Sequence, residues 1–130
     1  MAVNTYIQLV HIKVNEIAEA EKFFDIVFDI LGLENKEKTE ERITYWGAIG
    51  IMLHQQNEVL ADIDHFFRLG MVQLGIRVGN KALVDQLYQV LNTAHYTFDW
   101  EPRSFDYSKN YYSFLVFDPD DNKFEFIFDG

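Results

Sequence analysis

The fold of this chain is decided by its C-terminal stretch, Tyr111-Tyr112-Ser-Phe-Leu-Val-Phe117-Asp118-Pro119-Asp120-Asp121-Asn122-Lys-Phe-Glu125-Phe-Ile-Phe128. Two short runs rich in aromatic and β-branched residues flank Asp-Pro-Asp-Asp-Asn, where proline presets φ for a turn and the Asx residues can bond their own backbone. The stretch therefore predicts a strand–turn–strand hairpin. In the second strand Glu125 shares a face with Ile127, opposite three phenylalanines. A carboxylate on such an apolar strand is either the partner of a Lys or Arg, or a ligand for a metal or substrate.

The same stretch resembles the end of a known superfamily. Tyr-Tyr, Phe-x-Asp-Pro-Asp-x-Asn and Glu125 are similar to the closing motif of the vicinal oxygen chelate superfamily, which includes glyoxalase I, bleomycin-resistance proteins and extradiol dioxygenases. In that superfamily the motif runs Asp-Pro-Asp-Gly-Asn-x-x-Glu, and its Glu is usually a metal ligand. Asp121 stands here where Gly is usual, and Asp tolerates the left-handed conformation of such a turn.

An internal repeat predicts the architecture. Leu9-Val-His-Ile-Lys-Val14 recurs 64 residues later as Gln73-Leu-Gly-Ile-Arg-Val78, and an amphipathic helix follows each copy. We therefore expect one α+β domain, residues 1–130, built from two tandem β-α-β-β-β modules that pair their curved sheets around a cavity. The resemblance implies the same glyoxalase/bleomycin-resistance/dioxygenase fold. Module one takes residues 1–57, a crossover takes 58–70, and module two takes 71–130.

Local patterns place the individual elements. Asn15 and Asn80 are the predicted N-caps of the two helices, which end at Gly32 and near Ala94. The remaining predictions are a first strand at 5–14, an exposed edge strand or loop at 34–41, a hairpin at 43–56, a short helix or irregular crossover at 57–69, a strand at 97–100, and a loop through Pro102 to the final hairpin.

Composition limits the classes of function. The chain has no cysteine, which excludes disulfides and thiolate chemistry. Its formal net charge of −10 argues against binding to nucleic acid or an anionic membrane, because both require a basic patch. No long apolar run and no signal-peptide pattern occur at the N-terminus, so we expect a cytoplasmic location.

Strand parity predicts which side chains reach the cavity. Alternate residues of the two repeated strands pack on the helices, so the residues between them turn towards the cavity. In the last strand of each module, the residues on the corresponding face of the strand also turn towards the cavity. The predicted cavity residues are Leu9, His11, Met52, His54, Gln73, Gly75, Arg77, Tyr111, Tyr112 and Glu125.

The resemblance implies a metal site with one ligand from the first strand and one from the last strand of each module. The matching positions are Leu9, Met52, Gln73 and Glu125, and only Glu125 is a usual ligand. One carboxylate and one amide do not hold a divalent cation firmly, so we prefer a site without a metal. The alternative is a displaced site for Zn, Ni, Mn or Fe made by His11, His54 and Glu125, since each histidine lies two residues, about 7 Å, beyond the expected position.

Three functions stay open on the sequence alone. The preferred one is a small-molecule-binding protein with an aromatic cavity, in which Glu125 and His11 are the candidate groups for metal-free acid–base chemistry. The others are a metal-dependent lyase, isomerase or dioxygenase using the displaced site, and a non-catalytic interaction module. Among the polar residues, His11 and His54 are expected to bond Glu125, Gln73 or water. Members of the superfamily commonly form homodimers, so the resemblance implies a homodimer.

Two basic residues occupy equivalent positions in the repeat. Lys13 and Arg77 are expected to pair with Glu125 or other acids, because acids are in surplus, although either residue could instead meet an anionic ligand. Trp46 and Trp100 could form the wall of the cavity or fill the core.

Overall fold

The computed structural model describes residues 8–56 and 73–130. Within these ranges the elements are β1 Leu9–Val14, α1 Ile17–Leu31, β2 Asn35–Lys38, β3 Arg42–Trp46, β4 Gly50–Gln55, β5 Gln73–Arg77, α2 Lys81–Thr93, β6 Phe98–Ser104, β7 Tyr111–Phe117 and β8 Lys123–Asp129. The predicted α+β fold of two tandem β-α-β-β-β modules is therefore confirmed. The predicted crossover at 58–70, the ambiguous segment 57–69 and the first residues of the predicted strand 5–14 lie outside the described residues.

Each module forms one four-stranded sheet. Sheet A has the strand order β1-β4-β3-β2, and sheet B has the order β5-β8-β7-β6. In both sheets the first strand pairs in parallel with the last one, while the other pairings are antiparallel. A parallel pair requires a long connection between its strands, and in each module the helix is part of that connection.

A helix covers one face of each sheet. The apolar stripe of α1 is buried, and α1 packs against β3 and β4 of sheet A. Gly32 ends α1 as predicted, with a positive φ of 77° that glycine adopts without strain. In module two α2 packs on β6, β7 and β8, and the Asn80 side chain accepts a hydrogen bond from the Leu83 backbone at 2.9 Å, which confirms the predicted cap.

The two modules share one core. Phe124 of β8 packs against Phe24 of α1 with ring centroids 5.3 Å apart, and it also contacts Phe23 at 6.0 Å. The side of sheet B that carries Phe124 therefore faces α1, and α1 itself lies on sheet A. Both helices lie between the sheets in this arrangement, and the other face of each sheet points away from the shared core. We call these outward surfaces, which neither α1 nor α2 of the described residues covers, the helix-free faces.

The strand register assigns residues to the helix-free faces. On sheet A they are Leu9, His11, Lys13, Asn35, Glu37, Arg42, Thr44, Trp46, Gly50, Met52 and His54. On sheet B they are Gln73, Gly75, Arg77, Trp100, Arg103, Tyr111, Ser113, Leu115, Phe117, Lys123, Glu125, Ile127 and Asp129.

Two local predictions were wrong. The first helix begins at Ile17, and Glu16 rather than Asn15 is its N-cap residue, without a side-chain cap. The Ile17 backbone instead donates to the Gln55 side chain at 2.8 Å, because the end of β4 lies beside the start of the helix. Pro102 is not in a loop: it lies within β6, where the register shifts between Trp100 and Arg103. A proline is tolerated there because β6 is an edge strand with an irregular ladder.

The hairpin turn is held by its own side chains. Asp118 is buried, and its carboxylate accepts hydrogen bonds from the backbones of Asp120 and Asn122 and from the Asn122 side chain. Burial raises the pKa of Asp118 to about 6, although these hydrogen bonds oppose the shift. Asp121 has a positive φ of 62°, and the Asp120 carboxylate accepts from the Asn15 backbone of module one. The turn of module two is thus hydrogen-bonded to module one.

In the described part of the chain, no helix has the length and hydropathy needed to cross a membrane.

Candidate functional site

A buried carboxylate lies on the helix-free face of sheet B. Glu125 is only 5% exposed. Its Oε1 accepts a hydrogen bond from Gln73 Nε2 at 3.0 Å, while its Oε2 accepts from the Tyr111 hydroxyl at 2.6 Å and from Ser113 Oγ at 2.8 Å. All three donors are neutral, and no Lys or Arg forms an ion pair with Glu125 within residues 8–56 and 73–130. Since an ionised carboxylate offers about four acceptor positions, one position is left for a further donor.

Aromatic rings surround this carboxylate. Trp100 donates its Nε1–H to Ser113 Oγ at 3.3 Å, so the indole is linked to Glu125 through one hydroxyl. Phe105 packs edge-on to Trp100 at 5.4 Å and to Tyr111 at 5.8 Å. Tyr107 stacks on Phe105 at 5.2 Å and is 74% exposed, which puts the outer edge of the cluster in contact with solvent. The four rings form an aromatic wall beside Glu125, and we keep that name for Trp100, Phe105, Tyr107 and Tyr111.

The adjacent tyrosines of β7 point to opposite faces. Tyr111 joins the Glu125 network, and burial, followed by the hydrogen bond to Glu125, raises the pKa of its phenol well above the ordinary value. Tyr112 faces α2 and donates to the Asp85 carboxylate at 2.6 Å, which together with burial raises its pKa to about 12. Both phenols therefore stay protonated at neutral pH. Of the two predicted cavity tyrosines, only Tyr111 lies beside Glu125.

The helix-free face of sheet A carries a pair of stacked histidines. The His11 and His54 rings lie 5.4 Å apart at an interplanar angle of 18°. Met52 is the register partner of His11 on the neighbouring strand, and Leu9 begins the same edge strand. The Trp46 ring lies over Gly50, where any Cβ would collide with the indole, so this position requires glycine.

The predicted cavity residues thus fall on three surfaces. Leu9, His11, Met52 and His54 share the helix-free face of sheet A. Gln73, Gly75, Arg77, Tyr111 and Glu125 share that of sheet B, whereas Tyr112 packs on α2. Within one chain, the two helix-free faces point away from each other and do not enclose a common space.

The donor set does not fit the metal site that the resemblance implies. Of its four positions, Leu9 and Met52 offer no ligand for a divalent cation of the hard or borderline type. Gln73 and Glu125 are bonded to each other, so the amide and the carboxylate satisfy one another rather than aim at a common ion. Ser113 and Tyr111 occupy the second carboxylate oxygen.

The displaced metal site is not assembled within one chain either. His11 and His54 lie on sheet A, whereas Glu125 faces outward from sheet B on the other side of the shared core. Because an imidazole lone pair lies in the ring plane, two nearly parallel stacked rings do not direct theirs at one ion. Across residues 8–56 and 73–130, no three His, Asp or Glu side chains are grouped so that they could hold a metal ion.

Several predicted pairings involve other partners. Neither His11 nor His54 hydrogen-bonds Glu125 or Gln73, because the two histidines lie on sheet A, across the shared core from sheet B. The Arg77 guanidinium donates to the Asp129 backbone carbonyl at 2.8 Å instead of pairing with an acid side chain. Lys13 likewise has no acidic partner in the described ranges. Within residues 8–56 and 73–130, neither Lys13 nor Arg77 has the acidic partner that the sequence led us to expect.

Sequence reasoning missed three contributors to the site. Ser113 is fully buried and links Trp100 to Glu125, yet it reads as an ordinary strand residue. The alternation of β7 could have identified Ser113 as a site residue, because Ser113 lies two residues after Tyr111 and therefore on the same face of the strand. Phe105 and Tyr107 lie in the connection between β6 and β7, where no periodicity indicates a direction.

A separate cleft of about 470 Å³ opens between the modules. Its walls come from the end of α1, the β3–β4 turn, β5 and the start of α2, and they are largely apolar. Leu74 and Ile76 of this wall belong to the helix-covered side of sheet B, whereas Gly75 and Arg77, which also line the cleft, belong to the helix-free face. The cleft therefore runs along the β5 edge of sheet B, and Glu125 is not among its lining residues.

Solved structures with the same architecture settle the fold. A candidate glyoxalase from Bacillus halodurans superposes with a TM-score of 0.84 at 22% identity, covering 97% of each chain. The chain has the glyoxalase/bleomycin-resistance/dioxygenase fold. A glyoxalase/bleomycin resistance protein from Albidiferax ferrireducens shares this fold with a TM-score of 0.77 at 20% identity, over 95% of this chain and 98% of that one. The fosfomycin resistance protein FosX from Mesorhizobium loti shares it with a TM-score of 0.68 at 15% identity, over 99% and 95% of the two chains.

These likenesses extend over both modules, and the glyoxalase/bleomycin-resistance/dioxygenase fold accounts for the tandem repeat. The resemblance seen in the C-terminal motif is thus confirmed at the level of the fold. No protein-family model matches the chain, and no curated protein matches it.

Proposed function

We propose that this protein binds a small organic molecule on the helix-free face of sheet B, around Glu125, and that it does so without a divalent metal. The observation that carries the proposal is the buried Glu125 carboxylate, which is held by three neutral donors on a sheet face that no helix of residues 8–56 and 73–130 covers. A purely structural carboxylate at such a depth is usually paired with a cation. Here its remaining acceptor position is available to an N–H or O–H group of a ligand.

The aromatic wall supports a ligand with a flat apolar part. Trp100 and Tyr111 pack edge-on to Phe105, while Tyr107 and the Arg103 guanidinium lie over its ring, the guanidinium at 4.7 Å from the centroid. A flat ligand would pack on the ring surface that these contacts leave uncovered. Small-molecule sites commonly combine such apolar walls with a few fixed polar groups. Ser113 and Tyr111 fix the direction of the Glu125 carboxylate, which would then set the orientation of the ligand.

We also propose that the binding space is completed in a homodimer. The helix-free faces of the two sheets point outward from one chain, so a two-fold axis can bring sheet A of one copy over sheet B of the other. Leu9 and Met52 would then supply apolar surface opposite the aromatic wall. A catalytic role for Glu125 with His11 would require the same dimer, because the two side chains lie on opposite sides of one chain. Light scattering coupled to size-exclusion chromatography should give the mass of a dimer, and a monomer at micromolar concentration would contradict this part of the proposal.

Binding can be tested with 2-naphthol, a neutral aromatic molecule with one hydroxyl donor, in a calorimetric titration. Tyr111→Phe removes a donor that holds Glu125, so we expect it to weaken binding by roughly tenfold. Tyr112→Phe is the matched control, because it removes the neighbouring hydroxyl on the opposite face. Equal affinities of the two variants, or no binding of 2-naphthol to the wild type, would contradict the proposed site.

The metal question needs its own titration. The protein, purified without chelator or metal affinity resin, should show no stoichiometric binding of Mn²⁺, Ni²⁺, Zn²⁺ or Fe²⁺ by calorimetry. Binding of one ion per site that is lost in His11→Ala or His54→Ala would refute the metal-free proposal. It would favour the metal-dependent lyase, isomerase or dioxygenase instead. The cytoplasmic location stays a prediction from the sequence.

A further inference from the structure

The helix-free face of sheet A carries a row of basic side chains. Lys13 of β1 and Arg42 of β3 are both register partners of His54 on the strand between them. Directly opposed residues on neighbouring strands have Cβ atoms about 5 Å apart, so the three side chains stand side by side across the sheet. His11 stacks on His54 and adds a second imidazole to the row.

No acid of the described residues forms an ion pair with the row. Module one has five Lys and Arg residues, and three of them, Lys22, Lys36 and Lys38, form ion pairs with acids of α1. In the described part of the chain the other two, Lys13 and Arg42, have no ion pair, and they are the two that flank His54.

Acidic residues are nevertheless close. Glu37 lies on the same face one strand beyond Arg42, and Glu40 and Glu41 form the turn that leads into β3. None of these three carboxylates forms an ion pair in the described ranges. Within the described residues, Lys13 and Arg42 thus keep unpaired charges on either side of His54 although acids are in surplus.

The other end of this face is apolar. Leu9 and Trp46 flank Gly50 in the register row at the start of β1, and Met52 lies between that row and His54. Four residues along a strand span about 13 Å, so a basic end and an apolar end lie within the length of one small molecule.

We propose that this face binds the anionic group of an amphipathic small molecule, with a carboxylate or phosphate held by Lys13, Arg42 and His54. The Arg42 guanidinium can make two parallel hydrogen bonds to such a group, and the Lys13 ammonium adds a point charge. The apolar part of the same molecule packs on Met52 and Trp46. The inference rests on the proposed function, since it assigns the chemical class of the ligand, and the dimer would place this row opposite the Glu125 face of the partner copy.

Two probes with the same ring test the inference: 2-naphthyl phosphate carries an anionic phosphate where 2-naphthol carries its hydroxyl donor. We expect 2-naphthyl phosphate to bind the wild type at least tenfold more tightly in calorimetric titrations at low salt. The double variant Lys13→Gln/Arg42→Gln should lose this advantage and bind the two probes with similar affinity. The control Lys22→Gln/Lys38→Gln removes the same charge from surfaces that do not belong to the row, and it should retain the advantage.

The outcomes separate the inference from the proposed function. If 2-naphthol binds in a Tyr111-dependent manner and the phosphate adds no affinity, the proposed function stands and the anion site is refuted. If the phosphate binds in a manner that depends on Lys13 and Arg42 but not on Tyr111, the anion site stands and the Glu125 site is refuted. Equal losses in the two double variants, or no binding of 2-naphthyl phosphate at millimolar concentration, would also refute the anion site.

Discussion

Gln73 donates a hydrogen bond from Nε2 to Oε1 of Glu125 at 3.0 Å, and the two side chains come from adjacent strands of sheet B. They occupy the two positions at which the resemblance implies metal ligands in module two. In this chain the amide and the carboxylate bond each other, and Tyr111 and Ser113 donate two further hydrogen bonds to the second carboxylate oxygen. The position at which the resemblance implies a metal ligand is thus bonded by three neutral donors.

The network should be cooperative. Tyr111→Phe and Ser113→Ala each remove one of the two donors to Glu125 Oε2, and we expect each to lower the free energy of unfolding by about 1–2 kcal/mol. The double variant should lose about 1 kcal/mol more than the sum, because a buried carboxylate oxygen is then left without a donor. Urea denaturation measures all four states. The cycle of Tyr112→Phe with Ser113→Ala should be additive, and additivity in both cycles would contradict a shared acceptor.

Asp118 should make stability depend on pH. Its folded pKa of about 6 lies above the ordinary value of 3.8, so between these two pH values the folded state binds more protons than the unfolded state. The contribution of the protonated Asp118 carboxyl to the free energy of unfolding is therefore fully present below pH 3.8. It is lost as the pH rises through about 6, and for a shift of this size it amounts to at most about 3 kcal/mol.

The measurement is urea denaturation of the wild type and Asp118→Asn from pH 4 to pH 7. Asparagine does not titrate, so the stability of the wild type relative to this variant should fall across the range. Asp121→Asn, in the same turn, is the control and should follow the wild type. A constant difference between Asp118→Asn and the wild type would show that the Asp118 carboxyl keeps its ordinary pKa.

Asp121→Gly should stabilise the protein slightly. Asp121 has a φ of 62°, a left-handed conformation that costs an L-residue roughly 1 kcal/mol and costs glycine almost nothing. Because glycine also loses more entropy on folding, we expect a net gain of only about 0.5 kcal/mol in thermal denaturation. In contrast, Asp120→Gly should destabilise the protein, since it removes the carboxylate that accepts from Asn15. A marked loss of stability in Asp121→Gly would indicate a role for its side chain.

Phe124→Ala should destabilise both modules together. Phe124 is 1% exposed and packs on Phe23 and Phe24 of the other module, so its truncation leaves a cavity in the shared core. We expect a loss of about 3–5 kcal/mol with one cooperative transition by both circular dichroism and tryptophan fluorescence. Val90→Ala, on the exposed side of α2, should change stability by no more than about 0.5 kcal/mol. Two separate transitions in the wild type would contradict a single core.

Periodicity located most elements because it reports local burial. The repeated strands at Leu9 and Gln73, the Asn80 cap and the Gly32 end of α1 are all found where residue patterns predict them. Asn15 misled the prediction because Gln55, distant in sequence, lies at the start of α1 and accepts from its backbone. Likewise the pattern gave no sign that β6 continues through Pro102, since its pairing with β7 is irregular.

The sequence by itself determined the tandem-module fold and the face of β8 on which Glu125 lies, because repeats and alternation are properties of the chain order. Only the tertiary structure decided the partners of Glu125, since Gln73, Tyr111 and Ser113 reach it from two other strands. It also separated His11 and His54 from that carboxylate, because the modules pack through Phe124 and the helices and turn their helix-free faces outward. Parity specifies the face of a strand, whereas the packing of one sheet relative to another depends on contacts between residues that are far apart in the chain.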